Sequence, residues 1–393
     1  MTLRKRVLTA GLLMLAPGAY ASSEPVKIGD LDSYAAVPAF TIPYRNGWQL
    51  AQDEINKAGG VLGGRKLEVI SKDDQGRPET AAQAADQLFG PENVVAVMGT
   101  LLTQTAQAVA EVAANRGKPF LAAQAISDSL TGSRGNKMTF RLRPSAAMQT
   151  AMLAEQAAKL PAKRWVILAP EYEQGQSLAA DFKERLKALK PEVTFVAELT
   201  PPLGRLEEDS IIEAIDKTRP DALFNATFGG DLIRLVRQGK AKGLFPKLMV
   251  VSPLTGEPDY LEVMAEDAPE GWLVTGYPWY DIKTPEHRKF VEAYGAAYGE
   301  DPRLASLLGY DAMKALAAAL EKAGSTDPAK LSAALETVTV ATPTGPISFR
   351  PADHQASLGA WVGKTKIEDG GGVMTDWRYI DGSTIPPVVK KGK

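Results

Sequence analysis

The sequence predicts an α/β protein of two similar lobes, each a doubly wound parallel sheet with helices on both faces. Three observations carry this. From Val26 onward, short apolar runs alternate with longer helical patterns, without simple hairpins between them. The same rhythm restarts after MTFRLRPS, Met138 to Ser145. The length of 393 residues, at 45% hydrophobic and 23% charged, suits a globular chain of two domains with a sizeable core.

In order, VKIGDL reads as a strand and Tyr44 to Ala58 as a helix carrying Trp48, Leu50, Ala51 and Ile55. GGVLGG is a turn, KLEVIS a strand and Pro78 to Leu88 a helix. VVAVMG and PFLAA are strands with an alanine-rich helix between them. In the second set, RWVILA, VTFVAEL, DALFNAT and KLMVVS are strands. The helices between them are SLAADFKERLKAL, IIEAIDKT and LIRLVRQGKAKG. From about Thr284 to Leu335 the pattern is helical, then TPTGPISF is extended and LGAWVGKTKIEDGGG resembles a hairpin. A helical tail of that length must bury its apolar faces, so it is expected to pack back on the first lobe, with the final strands on the second.

The N-terminus carries Arg4, Lys5 and Arg6, a short apolar run from Val7 to Leu15, and Ala19-Tyr20-Ala21. This is the pattern of a cleaved export signal, residues 1–21, with Ser22 first in the mature chain. The run is too short to cross a bilayer, which needs about 20 apolar residues. There is no cysteine, which excludes disulfides, thiolate metal sites and a cysteine nucleophile. An exported, unanchored chain without disulfides points to the periplasm. A net charge of −2 with no long block of one sign gives no footprint for nucleic acid or a membrane surface.

Enzymatic patterns fail for specific reasons. The two histidines, His287 in a charged helix and His354 in a loop, read as surface residues. No G-x-S-x-G is present to place a serine on a strand-to-helix elbow. GAWVGKT has one residue too few for a phosphate loop, and GGVLGG has the wrong spacing for a dinucleotide fingerprint. Asp73-Asp74 lacks further acids at calcium-loop spacing and reads as solvated. No cofactor and no metal is expected.

What remains is polar chemistry at strand ends, where open α/β sheets bind their ligands. The first lobe offers Ser33 and Tyr34, Thr100 and Thr103 in GTLLTQT, and Gln124. The second offers Tyr172, Gln174, Phe228 and Thr255. A helix N-terminus at GTLLTQT would present free N–H donors to a carboxylate, or Thr103 would simply cap that helix.

These residues carry a resemblance. The chain resembles the periplasmic substrate-binding proteins of ABC importers, of the branched-chain amino acid (leucine–isoleucine–valine) type. The carriers are IGDL, then GWQLAQDEINKAGGVLGGRKLEVISKDD, the MGT turn, GQSLAADFKERL and PTGPISFRPADHQA. The resemblance implies the type I periplasmic binding fold, a three-segment hinge and closure of the lobes over one small organic solute. It also implies a membrane permease as partner and a monomer. Crossings are expected near Arg141–Pro144, Gly276–Pro278 and Thr342–Gly345. Lobe 1 is then 22–141 with 277–342, and lobe 2 is 142–276 with 343–393.

In the family a hydroxyl and backbone N–H groups hold the ligand carboxylate where GTLLTQT lies, with Thr103 at the principal position and Thr100 beside it. Other positions depart. Ile126 stands where a hydroxyl is usual, and Gln174 where a tyrosine is usual, with Tyr172 two residues earlier. Glu257 is the candidate acid for a ligand ammonium, and Tyr34, Phe228, Tyr277, Trp279 and Tyr280 offer aromatic surface near the expected cleft. A cleft without such an acid rejects α-amino acids, because a buried unpaired ammonium costs several kcal/mol. Aromatic or aliphatic carboxylates and amides therefore compete with branched-chain amino acids as the cargo. A sensor module of the same fold is an alternative, and an exported hydrolase a weaker one.

Overall fold

The computed structural model describes residues 24–387. The expected export signal and its cleavage after Ala21 lie outside the described residues.

The first sheet is built from β1 (Val26–Asp32), β2 (Leu67–Asp73), β3 (Val97–Gly99), β4 (Phe120–Ala122) and β5 (Thr139–Arg141). Its order is β2-β1-β3-β4-β5 and every pairing is parallel. The crossovers are α1 (Pro38–Lys57), α2 (Pro78–Phe89) and α3 (Thr103–Arg116). The sequence places the start of α1 at Tyr44, after two prolines. The helix instead begins at Pro38 and keeps Pro43 inside it. Pro38 at the first position costs little, because the first turn has no acceptors for its N–H groups, whereas Pro43 lies beyond that turn and leaves the Ala39 carbonyl without its helical donor.

The second set runs α4 (Ala146–Ala157), β6 (Arg164–Leu168), α5 (Glu173–Leu189), β7 (Thr194–Leu199), α6 (Glu208–Thr218), β8 (Ala222–Asn225) and α7 (Gly229–Ala241). It continues through β9 (Met249–Gly256), α8 (Pro258–Met264) and β10 (Leu273–Gly276). Three of these elements have no counterpart in the sequence reading. Ten of the twelve residues of α4 are buried, so it shows no amphipathic stripe. At seven residues, α8 is too short for periodicity to register, and β10 follows it closely.

The remaining helices are α9 (Pro285–Tyr298), α10 (Leu304–Ala323) and α11 (Pro328–Leu335), followed by β11 (Thr339–Thr342), β12 (Gly345–Ser348), β13 (Ala360–Glu368) and β14 (Gly371–Ile380). The second sheet has the order β14-β13-β10-β9-β8-β6-β7. It is parallel from β7 to β10, with β13 and β14 added antiparallel as a hairpin. Its core includes Phe182 of α5 stacked on Phe224 of β8 at 4.0 Å.

The tail helices return to the first sheet's side, where α10 lies along α1. That contact needs glycine on both helices. A Cβ at Gly47 would lie 1.9 Å from the Ser306 carbonyl oxygen, and one at Gly309 would lie 2.1 Å from that of Tyr44.

The third passage between sheets differs from its expected place. At Thr342–Gly345 the chain makes the turn of the β11–β12 hairpin. Further on, Gln355 bridges Arg141 of β5, and the Arg141 N–H donates to the His354 carbonyl. The chain joins the second sheet only at Ala360. The fully buried Arg141 side chain ties this strip together by donating to Gln355 Oε1 at 2.5 Å and to the Ser127 carbonyl. The turn signal of TPTG is thus spent on a local hairpin, and backbone pairing along β5 places the passage further on.

Candidate functional site between the two lobes

Three strand ends of the first sheet converge on Asp32. Its Oδ1 accepts the Ser33 N–H at 2.9 Å and the Leu101 N–H at 3.0 Å. Its Oδ2 accepts from the Gln124 side chain at 2.7 Å. The carboxyl is fully buried, and that burial, followed by the nearby Asp30 charge, pushes it well above the usual carboxylate range. The loops after β1, β3 and β4 are thus joined at one side chain.

This fastening shapes the turn after β3. Gly99 sits at φ 124°, where a Cβ would meet the Leu31 carbonyl oxygen at 2.2 Å. Thr100 follows at φ 60°, a rare conformation for a β-branched residue. The chain then enters α3 at Thr103. Leu102 holds the capping position, and no side chain caps the helix, so Thr103 is not its cap. The Thr100 and Thr103 hydroxyls are buried without a partner among the described residues. Two unsatisfied hydroxyls beside an uncapped helix start suit an anionic oxygen, since each buried orphan costs about 1–3 kcal/mol.

Other first-lobe candidates are engaged internally. Ser33 Oγ donates to Asp74 at 2.6 Å, and Tyr34 OH donates to Asp30 at 2.7 Å with the Arg45 guanidinium over its ring. Asp74 is fully buried rather than solvated, because it also accepts the Gly76 N–H that closes the turn.

From the second lobe, Phe228 at the head of α7 stacks on Phe40 of α1 at 5.4 Å, and Tyr260 of α8 meets the same Phe40 at 5.6 Å. The three rings make an aromatic wall shared by both lobes. Glu257 heads α8 and forms an ion pair with Arg143 of the first crossing. Tyr172 precedes α5 and feels the Arg143 charge; burial pushes its hydroxyl up and the guanidinium opposes this. Gln174 is buried one residue into that helix. Behind the ion pair lies a mainly apolar crevice lined by Gln149, Leu304, Leu308 and Trp361.

Thr255 and Tyr277 face elsewhere. Thr255 Oγ1 bonds Ser252 Oγ at 2.6 Å, and Tyr277 OH bonds His287 Nε2 at 2.7 Å with its ring against Trp361. Tyr280 bonds the Met374 backbone of β14, so it and the adjacent Trp279 belong to that edge. Both histidines are buried rather than superficial. His287 lies inside the α9 packing, and His354 stacks on Phe140 and bonds the Thr139 carbonyl at 3.1 Å. Sequence reasoning missed Asp32 as the fastening residue, and also Phe40, Arg143 and Tyr260. Of these, only Arg143 left a trace: two arginines in the short RLRP segment of an otherwise apolar strand end. Among the described residues, no cluster of His, Asp and Glu could hold a metal ion, and no helix is long and apolar enough to cross a membrane.

Several known proteins share this architecture. The leucine-, isoleucine-, valine-, threonine- and alanine-binding protein of Pseudomonas aeruginosa is 27% identical over 310 residues, covering 78% of this chain and 80% of that one. A solute-binding protein of an ABC transporter from Rhodopseudomonas palustris BisB5, solved with 3,4-dihydroxybenzoic acid, superposes with a TM-score of 0.81 at 24% identity. That match covers 91% of this chain and 98% of that one. A leucine-binding protein from Thermotoga maritima gives a TM-score of 0.80 at 24% identity, covering 92% and 100%. The family model described as periplasmic binding protein matches residues 25–372, and the chain belongs to that family.

Proposed function

We propose that this protein is the exported solute-binding component of an ABC importer and that its cargo is a small organic carboxylate without an α-ammonium group. It delivers that solute to a membrane permease, acting as a monomer and turning nothing over. The observation that carries the ligand class is the Arg143–Glu257 pair. Glu257, the candidate acid for a ligand ammonium, already has a cationic partner, and both side chains are deeply buried. An amino acid would have to displace Arg143 and leave a guanidinium unpaired, which costs several kcal/mol.

The rest of the site supports the same reading. The Thr100 and Thr103 hydroxyls with the start of α3 take the carboxylate. The Phe40, Phe228 and Tyr260 rings offer a flat apolar wall to the body of the solute. Aromatic carboxylates such as the 3,4-dihydroxybenzoic acid of the R. palustris neighbour fit both features. A binding role also agrees with the histidines, of which His287 bonds the Tyr277 hydroxyl and His354 bonds the Thr139 carbonyl and Glu336.

Isothermal titration of the mature protein with benzoate, 4-hydroxybenzoate, 3,4-dihydroxybenzoate, leucine, isoleucine and valine tests this. Binding of an aromatic acid with no response to the amino acids is expected. Tight binding of leucine or valine overturns the ligand class while leaving the transport role intact.

A further inference from the structure

Beside the ligand residues runs a second set of contacts that joins the lobes through protein groups alone. Glu173, the first residue of α5, accepts from Ser127 Oγ at 2.6 Å, from Ser129 Oγ and from the Gln107 amide at 2.6 Å. Ser127 and Ser129 follow β4, and Gln107 lies on α3 one turn beyond Thr103. Arg134 holds the other end of the Gln107 amide at 2.7 Å. One turn along α5, Ser177 Oγ donates to Asp128 at 2.6 Å. The same carboxylate accepts the Ala147 N–H at the start of α4. Thus the three consecutive side chains Ser127, Asp128 and Ser129 all bond elements of the second lobe.

The pairing is chemically matched. Glu173 is an acceptor facing two hydroxyls and an amide, and Asp128 is an acceptor facing a hydroxyl and a helix N-terminus. Beside Asp128 lies the Asp181 carboxyl of α5, which burial and then Asp128 push up. Partial burial works against the Glu173 charge, yet the hydrogen bonds from Ser127, Ser129 and Gln107 hold its carboxyl below the usual range. Glu173 also sits between Tyr172 and Gln174, so its fastening fixes where those two stand relative to Thr103.

We propose that Glu173 and Ser177 form a latch that closes the second lobe onto Ser127–Ser129, and that Glu173 is a positioning residue setting how long a solute stays rather than which solute enters. The closed state then draws part of its stability from the protein itself, and latch variants change release more than encounter. This rests on the two-lobed binding reading but not on the identity of the cargo.

The absence of cysteine makes the test direct, because introduced cysteines label uniquely. Spin labels at Gln83→Cys on α2 and Glu213→Cys on α6, both exposed, report the separation of the lobes. Glu173→Ala is expected to shift the distance distribution toward longer separations, Glu173→Gln to restore part of the short population, and the unfolding midpoint of each lobe to stay put. The double variant Ser127→Ala/Ser129→Ala should shift it similarly, and adding Glu173→Ala should add little further. With 4-hydroxybenzoate as probe, the off-rate of the Glu173→Ala variant should rise at least about tenfold, since one of the three charge-assisted hydrogen bonds that Glu173 accepts already accounts for that factor, with the on-rate unchanged. Distances unmoved by Glu173→Ala overturn the latch, whatever the probe does. Failure of every carboxylate probe with the distance shift present overturns the proposed cargo instead.

Discussion

Arg143 and Glu257 form an ion pair in which the two side chains are only 8% and 5% exposed. One belongs to the first crossing between the lobes and the other to the head of α8, so the pair ties a hinge segment to the second lobe at the edge of the cleft. A buried pair of this kind costs desolvation and regains it through geometry. Removing one partner is therefore worse than removing both.

That asymmetry gives the first prediction. Glu257→Ala should lower stability by about 3–5 kcal/mol, because it leaves a buried guanidinium alone. The double change Arg143→Met/Glu257→Leu should cost clearly less. Urea denaturation of the two variants checks the order.

The orphan threonines predict opposite signs for stability and binding. Thr103→Val is nearly isosteric and removes a buried hydroxyl with no partner, so the ligand-free protein should gain up to about 1 kcal/mol. The same change should weaken an aromatic carboxylate about tenfold or more. A thermal melt and a titration on one preparation read both quantities.

Close approach of α1 and α10 predicts a large effect far from the cleft. Gly309→Ala puts a methyl against the Tyr44 carbonyl oxygen, which the structure places 2.1 Å from that Cβ. Prying two buried helices apart should cost about 1–3 kcal/mol or more. A lower midpoint in chemical denaturation is the expected result, and an unchanged one would mean that the helices are free to separate.

Asp30 predicts a pH dependence of stability. Burial raises its carboxyl from the ordinary value to about 6, although Ser71 and Tyr34 donate to one of its oxygens. A group whose value is raised on folding stabilises fully below its unfolded value near 4, and that contribution is lost as pH rises through the folded value. The loss therefore runs from about pH 4 to about pH 6 and is flat above. Asp30→Asn can keep both accepted bonds without the charge. Its stability relative to the parent should rise across that window by up to about 3 kcal/mol, from a difference of about two in the two values. Parallel curves for the two proteins would show that Asp30 does not titrate there.

Much of the architecture was legible because buried strands and amphipathic helices write their periods into the chain. The alternation from Val26 to Ser252, the final hairpin and the stretch INKAGGVLGGRKLEV announced the two sheets and the family. Elements without a period did not announce themselves: α4, buried on nearly every side, and α8, barely two turns long. The third passage also hid, since the backbone pairing of Arg141 with Gln355 is a contact between residues 214 apart.

The site divides along the same line. Thr100, Thr103 and Phe228 could be named from strand-end position alone, because open α/β sheets put ligands there, and Glu257 from the family resemblance. Whether a polar group is spare or already engaged depends on its partner, and the partners lie elsewhere in the chain. Asp74 engages Ser33, Asp30 engages Tyr34 and Arg143 engages Glu257, whereas none of the described residues engages the two threonine hydroxyls. By itself the sequence determined a two-lobed binding protein with its cleft at the strand ends, for local periodicity and turn chemistry are properties of neighbouring residues. Only the tertiary structure decided which hydroxyls are free, which acid is neutralised and what joins the lobes, because those are distances between residues that the chain keeps far apart.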